Sequence, residues 1–206
     1  LQVSKNSNKR GAFLSPSELQ HANTGEILLE SKRLILRRPE AEDQPDLERV
    51  FCDPDMMRYL GEAWNPEKVA EVIREWREDW GTENRWSGVL LRKDTLQVIG
   101  TAGLTGNTLV DEPGFELSWF VLPEHQRLGF ASEITGALLR WAFGELGAGR
   151  VVVETHPENP ASNRVLAKLG FERLGKRHHQ YDDLPGFDTQ ILWALRCENW
   201  RNELEI

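Results

Sequence analysis

Cysteine is scarce in this 206-residue chain: Cys52 and Cys197 stand alone, without metal-ligand spacing and too few for a disulfide framework. That usage suits a reducing compartment, with both thiols as packing residues. No stretch approaches the roughly 20 apolar residues of a membrane span, and residues 1–26 lack the apolar run of a secretory signal. The expectation is a cytoplasmic protein with no membrane partner. Basic charge is in deficit, 25 Lys and Arg against 33 Asp and Glu, for a formal net charge of −8. A duplex nucleic-acid ligand calls for a basic stripe, so none is expected, and cationic partners suit the surface better. Repeats and low-complexity blocks are absent. A chain of this length is expected to form one domain, burying roughly two-thirds of its unfolded surface without help from metals.

Residues 1–26 are rich in Ser, Asn and Lys and poor in large apolar side chains, and read as an N-terminal extension with little structure of its own. Lys5, Lys9 and Arg10 against Glu18 and Glu26 leave this tail at +1 and the remainder at about −9. Phe13–Leu19 could dock on the body or on a second copy, which leaves a homodimer open; a passive tail is the plainer expectation. Residues 27–206 read as the single domain.

Leu28 to Arg37 alternates as a strand, and Pro39 ends it. Asp43–Phe51 and the segment opened by Asn65-Pro66 show helical spacing, the latter with Val69, Val72, Ile73, Trp76 and Trp80 on one side. Residues 86–93 and 96–105 are apolar runs around Lys93-Asp94-Thr95, the pattern of an antiparallel hairpin. Val151-Val152-Val153 predicts a strand buried on both faces. A helix follows from Pro160, with Val165, Leu166 and Leu169 inward and Gly170 as its stop. Residues 171–176 and 189–196 complete an α/β fold with a mixed sheet and one crossover helix.

The centre of the chain is residues 115–132. Phe115–Leu122 is aromatic and β-branched, Pro123 stops the strand, and a helical period starts at Ala131 with Ile134, Ala137, Leu138, Trp141 and Ala142. Between them lies Gln126-Arg127-Leu128-Gly129-Phe130-Ala131. Small residues admit close backbone approach, and the unpaired N–H groups of a helix start prefer an anion such as phosphate. Arg127 can add a charge-assisted contact. Any strand-to-helix turn also benefits from a glycine, and a motif of six residues is weak alone. It also lacks the Lys-Ser/Thr end of a P-loop, which disfavours a nucleotide-binding enzyme.

This segment resembles the acyl-CoA-binding signature of the GNAT acetyltransferases, Gln/Arg-x-x-Gly-x-Gly/Ala, with Gln126, Gly129 and Ala131 at its fixed positions. Arg33–Arg37, Ile99–Leu104 and His156–Phe171 follow the order of the RimJ/RimL-like branch, so the resemblance covers about residues 27–196. It implies a mainly antiparallel mixed sheet flanked by helices and splayed between 115–122 and 150–155 to hold acetyl-CoA. It implies transfer of acetyl from that cosubstrate directly to a primary amine, on a protein N-terminus or a small molecule. Gln126 to Ala131, with Ser132, would hold the pyrophosphate. Phe120 and Val121 would present backbone groups to the pantetheine arm, where a strand N–H could also meet the developing oxyanion. Asn159 would bond near the thioester, with Ser162 close by.

Such transfer needs a deprotonated amine, so a base is required. Glu116, among Phe115, Leu117, Trp119 and Phe120, is the first candidate, because apolar neighbours raise a carboxyl pKa. An exposed strand carboxylate or a structural acceptor is the plain alternative. Many relatives carry a tyrosine acid three residues before the position of Leu169-Gly170-Phe171; this chain has Leu166 there. Ser162, water or no dedicated acid then serves, and a catalytically silent acyl-CoA-binding module is the alternative function. His156 reads as an exposed loop residue, Asn163 is undecided, and His178-His179 have no second ligand cluster, so no metal is expected. Trp76, Trp80 and Trp141 fit core faces, whereas Trp64 and Trp86 are candidates for an acceptor pocket shaped by residues 53–86 and 106–114.

Overall fold

The computed structural model describes residues 26–82, 85–107, 109–178 and 189–201. The N-terminal extension and Tyr181 therefore lie outside the described residues, as does His179. Where one strand is expected over 28–37 there are two, β1 (Ile27–Glu30) and β2 (Leu34–Arg37), paired antiparallel. Ser31 N–H donates to Leu34 C=O (2.9 Å) to close the turn between them. Sequence alternation cannot register that turn, because what pins it is the side chain of Glu133, 102 positions away from Ser31.

Three helices follow on one face of the sheet: α1 (Gln44–Phe51), α2 (Pro54–Met57) and α3 (Pro66–Glu78). Asn65 caps α3 by accepting from Lys68 N–H (2.8 Å), with Pro66 where a missing N–H costs nothing. The hairpin expected over 86–105 is present as β3 (Arg85–Arg92) and β4 (Val98–Gly106). Next come β5 (Phe115–Val121), the long helix α4 (Phe130–Gly144), β6 (Arg150–Thr155), α5 (Pro160–Lys168), β7 (Glu172–His178) and β8 (Thr189–Arg196). Gly170, at φ +84°, ends α5 in the left-handed conformation that glycine tolerates.

The eight strands form one sheet in the order β1-β2-β3-β4-β5-β6-β8-β7, with every neighbouring pair antiparallel except β5–β6. The last hairpin places β8, not β7, against β6, a swap invisible in the sequence. One face packs under α4 and α5, where Ile134, Leu138 and Leu166 are fully buried with Leu34, Leu36 and Leu104. The opposite face packs under α1 to α3, with Ile35, Leu47, Val50 and Val89 at its centre. Strand β2 is therefore buried on both sides, which explains the unbroken Leu-Ile-Leu run. Strands β4 and β5 approach so closely at Gly100 that a Cβ there would lie 2.0 Å from Phe120 O. This chain thus has the mixed, mainly antiparallel sheet expected of it.

Candidate active site

Strands β5 and β6 pair only through Phe115↔Val151 and Glu116↔Val152. Beyond those two steps they part, and the rest of β5 faces a wedge-shaped opening. Ladder chemistry decides which backbone groups line it. Leu122 N–H donates to Ile99 C=O (2.9 Å), and β4–β5 keeps its register from Gly100↔Val121 to Gly106↔Phe115. Since an antiparallel strand turns alternate residues to each side, the backbone of Phe120 faces β4, whereas Val121 and Trp119 face the opening. The two expected backbone contributors therefore divide: Val121 lies on the groove side, and Phe120 offers its ring. Gln126 Nε2 donates to Val121 C=O (2.9 Å), which fixes the lower end of the groove to the next loop.

That loop leads into α4 as the sequence predicts. Arg127 sits at φ +60° and Gly129 at φ +83°, two departures into left-handed space within three residues. Gly129 is the N-cap and offers no side chain, and Glu133 N–H to Gly129 C=O (3.0 Å) opens the helical ladder. The N–H groups of Phe130, Ala131 and Ser132 precede it and have no helical acceptor. Leu128 and Arg127 are exposed, while Phe130 and Ser132 are buried. Replacing Gly129 by alanine puts a Cβ 3.5 Å from Arg33 Nη2, which is tolerable contact, so the strain is purely backbone. We expect Gly129→Ala to cost about 1–2 kcal/mol and to raise the Kd for CoA by roughly tenfold, read by calorimetry.

A buried carboxylate holds this loop from behind. Glu133, in the first turn of α4, is 1% exposed and accepts from Ser31 Oγ (2.7 Å), Arg33 N–H (2.7 Å) and Arg33 Nε (2.6 Å). Arg33 in turn donates to Leu128 C=O (3.1 Å) and lies 4.6 Å from the centre of the Phe130 ring. Burial alone would raise the Glu133 pKa; the hydrogen bonds from Ser31 and Arg33, with the Arg33 charge, outweigh it and hold the carboxyl below its ordinary value. One ion pair thus fixes the β1–β2 turn, the loop and the helix start together. Sequence reasoning missed Glu133; an acid in the first turn suits the helix start by itself, so its position gives no sign of the distant Ser31 and Arg33 that meet it.

Glu116, Ser118 and Phe120 project from β5 to the face covered by α1 to α3, opposite Phe115 and Leu117, which enter the α4 side. Burial pushes the Glu116 carboxyl up; repulsion from Glu154 adds to the rise, and Arg177 opposes it. Glu154 on β6 and Arg177 on β7 form an ion pair (3.4 Å), and Arg177 also donates to Leu109 C=O. Neither residue stands out in the sequence. Their convergence on Glu116 follows from β8 lying between β6 and β7, with Leu109 and Val110 packed over Val152, Leu192 and Ala194.

Next to Ser118 on that face is a cavity of about 300 Å³. Its apolar wall is Phe51, Met57, Leu60, Trp64, Trp76 and Phe120, and Ser87, Thr101, Ala102 and Ser118 complete it. Phe51 is the hub: it stacks on Trp64 (4.5 Å, 15°) and meets Phe120 (5.3 Å) and Trp76 (6.0 Å) edge-on. Trp64 lines this cavity. Trp86 does not: it belongs to the opposite core, against Phe115 (5.8 Å) and Trp141 (4.9 Å), because residue parity on β3 turns it away. Trp76, read as core, both packs and lines the cavity. If the cavity takes the acceptor, we expect Trp64→Ala to raise the acceptor KM by about tenfold or more, while KM for acetyl-CoA stays within about twofold, because the ring walls the cavity and not the groove.

Across the opening, α5 starts at Asn159, whose Oδ1 accepts from Ser162 N–H (3.1 Å). Asn159 is thus the cap and Ser162 the capped amide; the amide nitrogen of Asn159 has no protein acceptor among the described residues. Ser162 is half-buried in the first turn of α5. Asn163 is structural, since it accepts from Thr155 Oγ1 (2.6 Å) and donates to Pro157 C=O (3.2 Å), and Thr155 accepts from Trp193 Nε1 (2.9 Å). Leu166 is fully buried in the α4-side core. His156 is half-buried rather than exposed, stacked on Tyr59 at 5.4 Å. Among the described residues no three metal-ligating side chains come together and no helix is long and apolar enough to cross a membrane.

Known proteins share this fold and part of its sequence. A family profile described as "Acetyltransferase (GNAT) domain" matches residues 33–172, and the chain belongs to that family. It is 31% identical over 172 residues to the uncharacterised N-acetyltransferase YoaA of Bacillus subtilis (strain 168), covering 80% of this chain and 94% of that one. Among solved structures it is similar to the ribosomal-protein-S5-alanine acetyltransferase from Vibrio fischeri (TM-score 0.66, 19% identity, 84% of this chain and 98% of that one). It is also similar to the microcin C7 self-immunity acetyltransferase MccE, solved with acetyl-CoA and AMP (TM-score 0.66, 14% identity, 80% and 93%). The protein is a GNAT-type acyltransferase, and its structural neighbours include the ribosomal-protein enzymes that a RimJ/RimL-like sequence implies.

Proposed function

We propose that the protein transfers an acetyl group from acetyl-CoA directly to a primary amine. The observation that carries this reading is the meeting, on one short strand, of a groove edge that ends at an unpaired helix start and a carboxylate of raised pKa beside an aromatic-walled cavity. Acetyl-CoA supplies an activated thioester. The N–H groups of residues 130–132, with Arg127, suit its pyrophosphate by charge and direction. The N–H of Val121 is fixed before charge develops on the carbonyl oxygen, so it stabilises that charge without reorganisation. Glu116 takes the amine proton, directly or through one water. Asn159 offers its amide nitrogen at the opposite wall, and Ser162 is the candidate to return a proton to the departing thiolate. Leu166 has no proton to offer.

The test is release of CoA against an acceptor panel of N-terminal peptides, polyamines, amino acids and aminoglycosides, with mass spectrometry of each product. An acetylated amine is the expected result. CoA binding with no product across the panel would favour a silent acyl-CoA-binding module instead.

A further inference from the structure

Resting on that transferase reading, we infer that the acceptor carries an uncharged, apolar substituent, aryl or bulky alkyl, which enters the cavity walled by Phe51, Trp64, Trp76 and Phe120. A net charge of −8 by itself suggests a polycationic acceptor; the cavity argues otherwise. Among the described residues, none of those lining it is charged, and its polar side chains are the hydroxyls of Ser87, Thr101 and Ser118. A second primary ammonium placed inside would lose its water and find no carboxylate, and the ring faces, held against one another, offset only part of that cost. An apolar group has no hydration to give up there and gains the packed rings.

Position and size support the same reading. Ser118 lies one pleat repeat from Glu116 on the same face, which puts the cavity within reach of a substituent on an amine held at Glu116. The volume, about 300 Å³, is that of roughly ten waters and falls at the small end of ligand sites. A phenyl or branched alkyl group fits within it. The Phe51 cluster holds its rings against one another, so the wall is formed before the ligand arrives. Leu60, 53% exposed, forms the rim and is the place where charge can be introduced without disturbing the core.

The full chain is assayed with 2-phenylethylamine, a peptide with N-terminal Phe, butane-1,4-diamine and a peptide with N-terminal Lys. Binding of each acceptor is measured in parallel by calorimetry, and both readouts are repeated with Leu60→Asp. The apolar acceptors are expected to exceed their charged counterparts by about 100-fold in kcat/KM and to bind tighter. Leu60→Asp should narrow that ratio about tenfold or more, without moving KM for acetyl-CoA. The two apolar probes distinguish a free amine from a peptide source. Equal or better use of the diamine by the unaltered chain overturns the inference while leaving the transferase intact. Selective binding of 2-phenylethylamine without any acetylation does the reverse: the cavity assignment stands and the transferase reading falls. If no apolar acceptor binds or reacts, the inference is wrong.

Discussion

Replacing Glu116 with glutamine is expected to lower kcat by about 10²–10⁴-fold with the Kd for CoA unchanged. The amide keeps the shape of the carboxyl and the packing around β5, but it cannot take a proton. On the proposed reading, affinity for CoA rests on the groove and the α4 start, which Glu116 does not form. The pH profile gives a second readout that a structural carboxylate would not move. The Glu116 pKa is raised by burial and by Glu154, and lowered by Arg177. In the proposed role the ionised form is the base, so the acid limb of kcat/KM should lie above the usual carboxylate range and activity should rise through it. Arg177→Gln removes the opposing charge and moves the limb to higher pH; Glu154→Gln removes repulsion and moves it lower. If Glu116→Gln leaves kcat within about threefold of the parent enzyme, a direct role in proton transfer is excluded.

Glu133→Ala has the second-largest expected effect, and it acts on stability and binding together. Three donors converge on that carboxylate from the β1–β2 turn. Removing it strands the Ser31 and Arg33 groups and leaves the Arg33 contact to Leu128 C=O without its anchor. Hydrogen bonds to charged groups contribute about 1.5–3 kcal/mol each in net terms, but these three share one acceptor and are not additive. A loss of about 2 kcal/mol in urea denaturation is the expected result, since Arg33 is 44% exposed and regains water once the carboxylate is gone, with KM for acetyl-CoA raised and the acceptor KM little changed. The pH dependence has a definite sign. The native pKa lies below the unfolded value of about 4.3, so the pair's contribution is fully present above that value and is lost as pH falls through the native one. The variant should lack that part of the acid destabilisation.

How much of the fold and site is legible in the chain alone follows from the range of the interactions concerned. Helices α3, α4 and α5 are written locally: Asn65-Pro66, the period from Ile134 to Ala142, and Pro160 with Gly170 each carry their own start, stripe or stop. The loop at 126–131 is legible for the same reason, since its left-handed Arg127 and Gly129 lie within one turn of a predicted helix start. Glu116 can be named as a candidate base from the apolar residues beside it in sequence, although Phe115 and Leu117 project to the opposite face and its burial comes from the assembled sheet.

What no local pattern contains is which distant residues meet. The break between β1 and β2 depends on Glu133, the division of Val121 from Phe120 on the β4 register, and the charge environment of Glu116 on β8 lying between β6 and β7. The same holds for Trp64 and Trp86: both look equally available in sequence, and only strand parity sends one to the cavity and the other to the opposite core. Local pattern therefore specifies most of the elements, the helix-start loop and the family. The β1–β2 break, the groove, the aromatic cavity and the raised pKa of Glu116 belong to the assembled fold, because each is made by groups distant in the chain whose distances and exposure exist only once the sheet has formed.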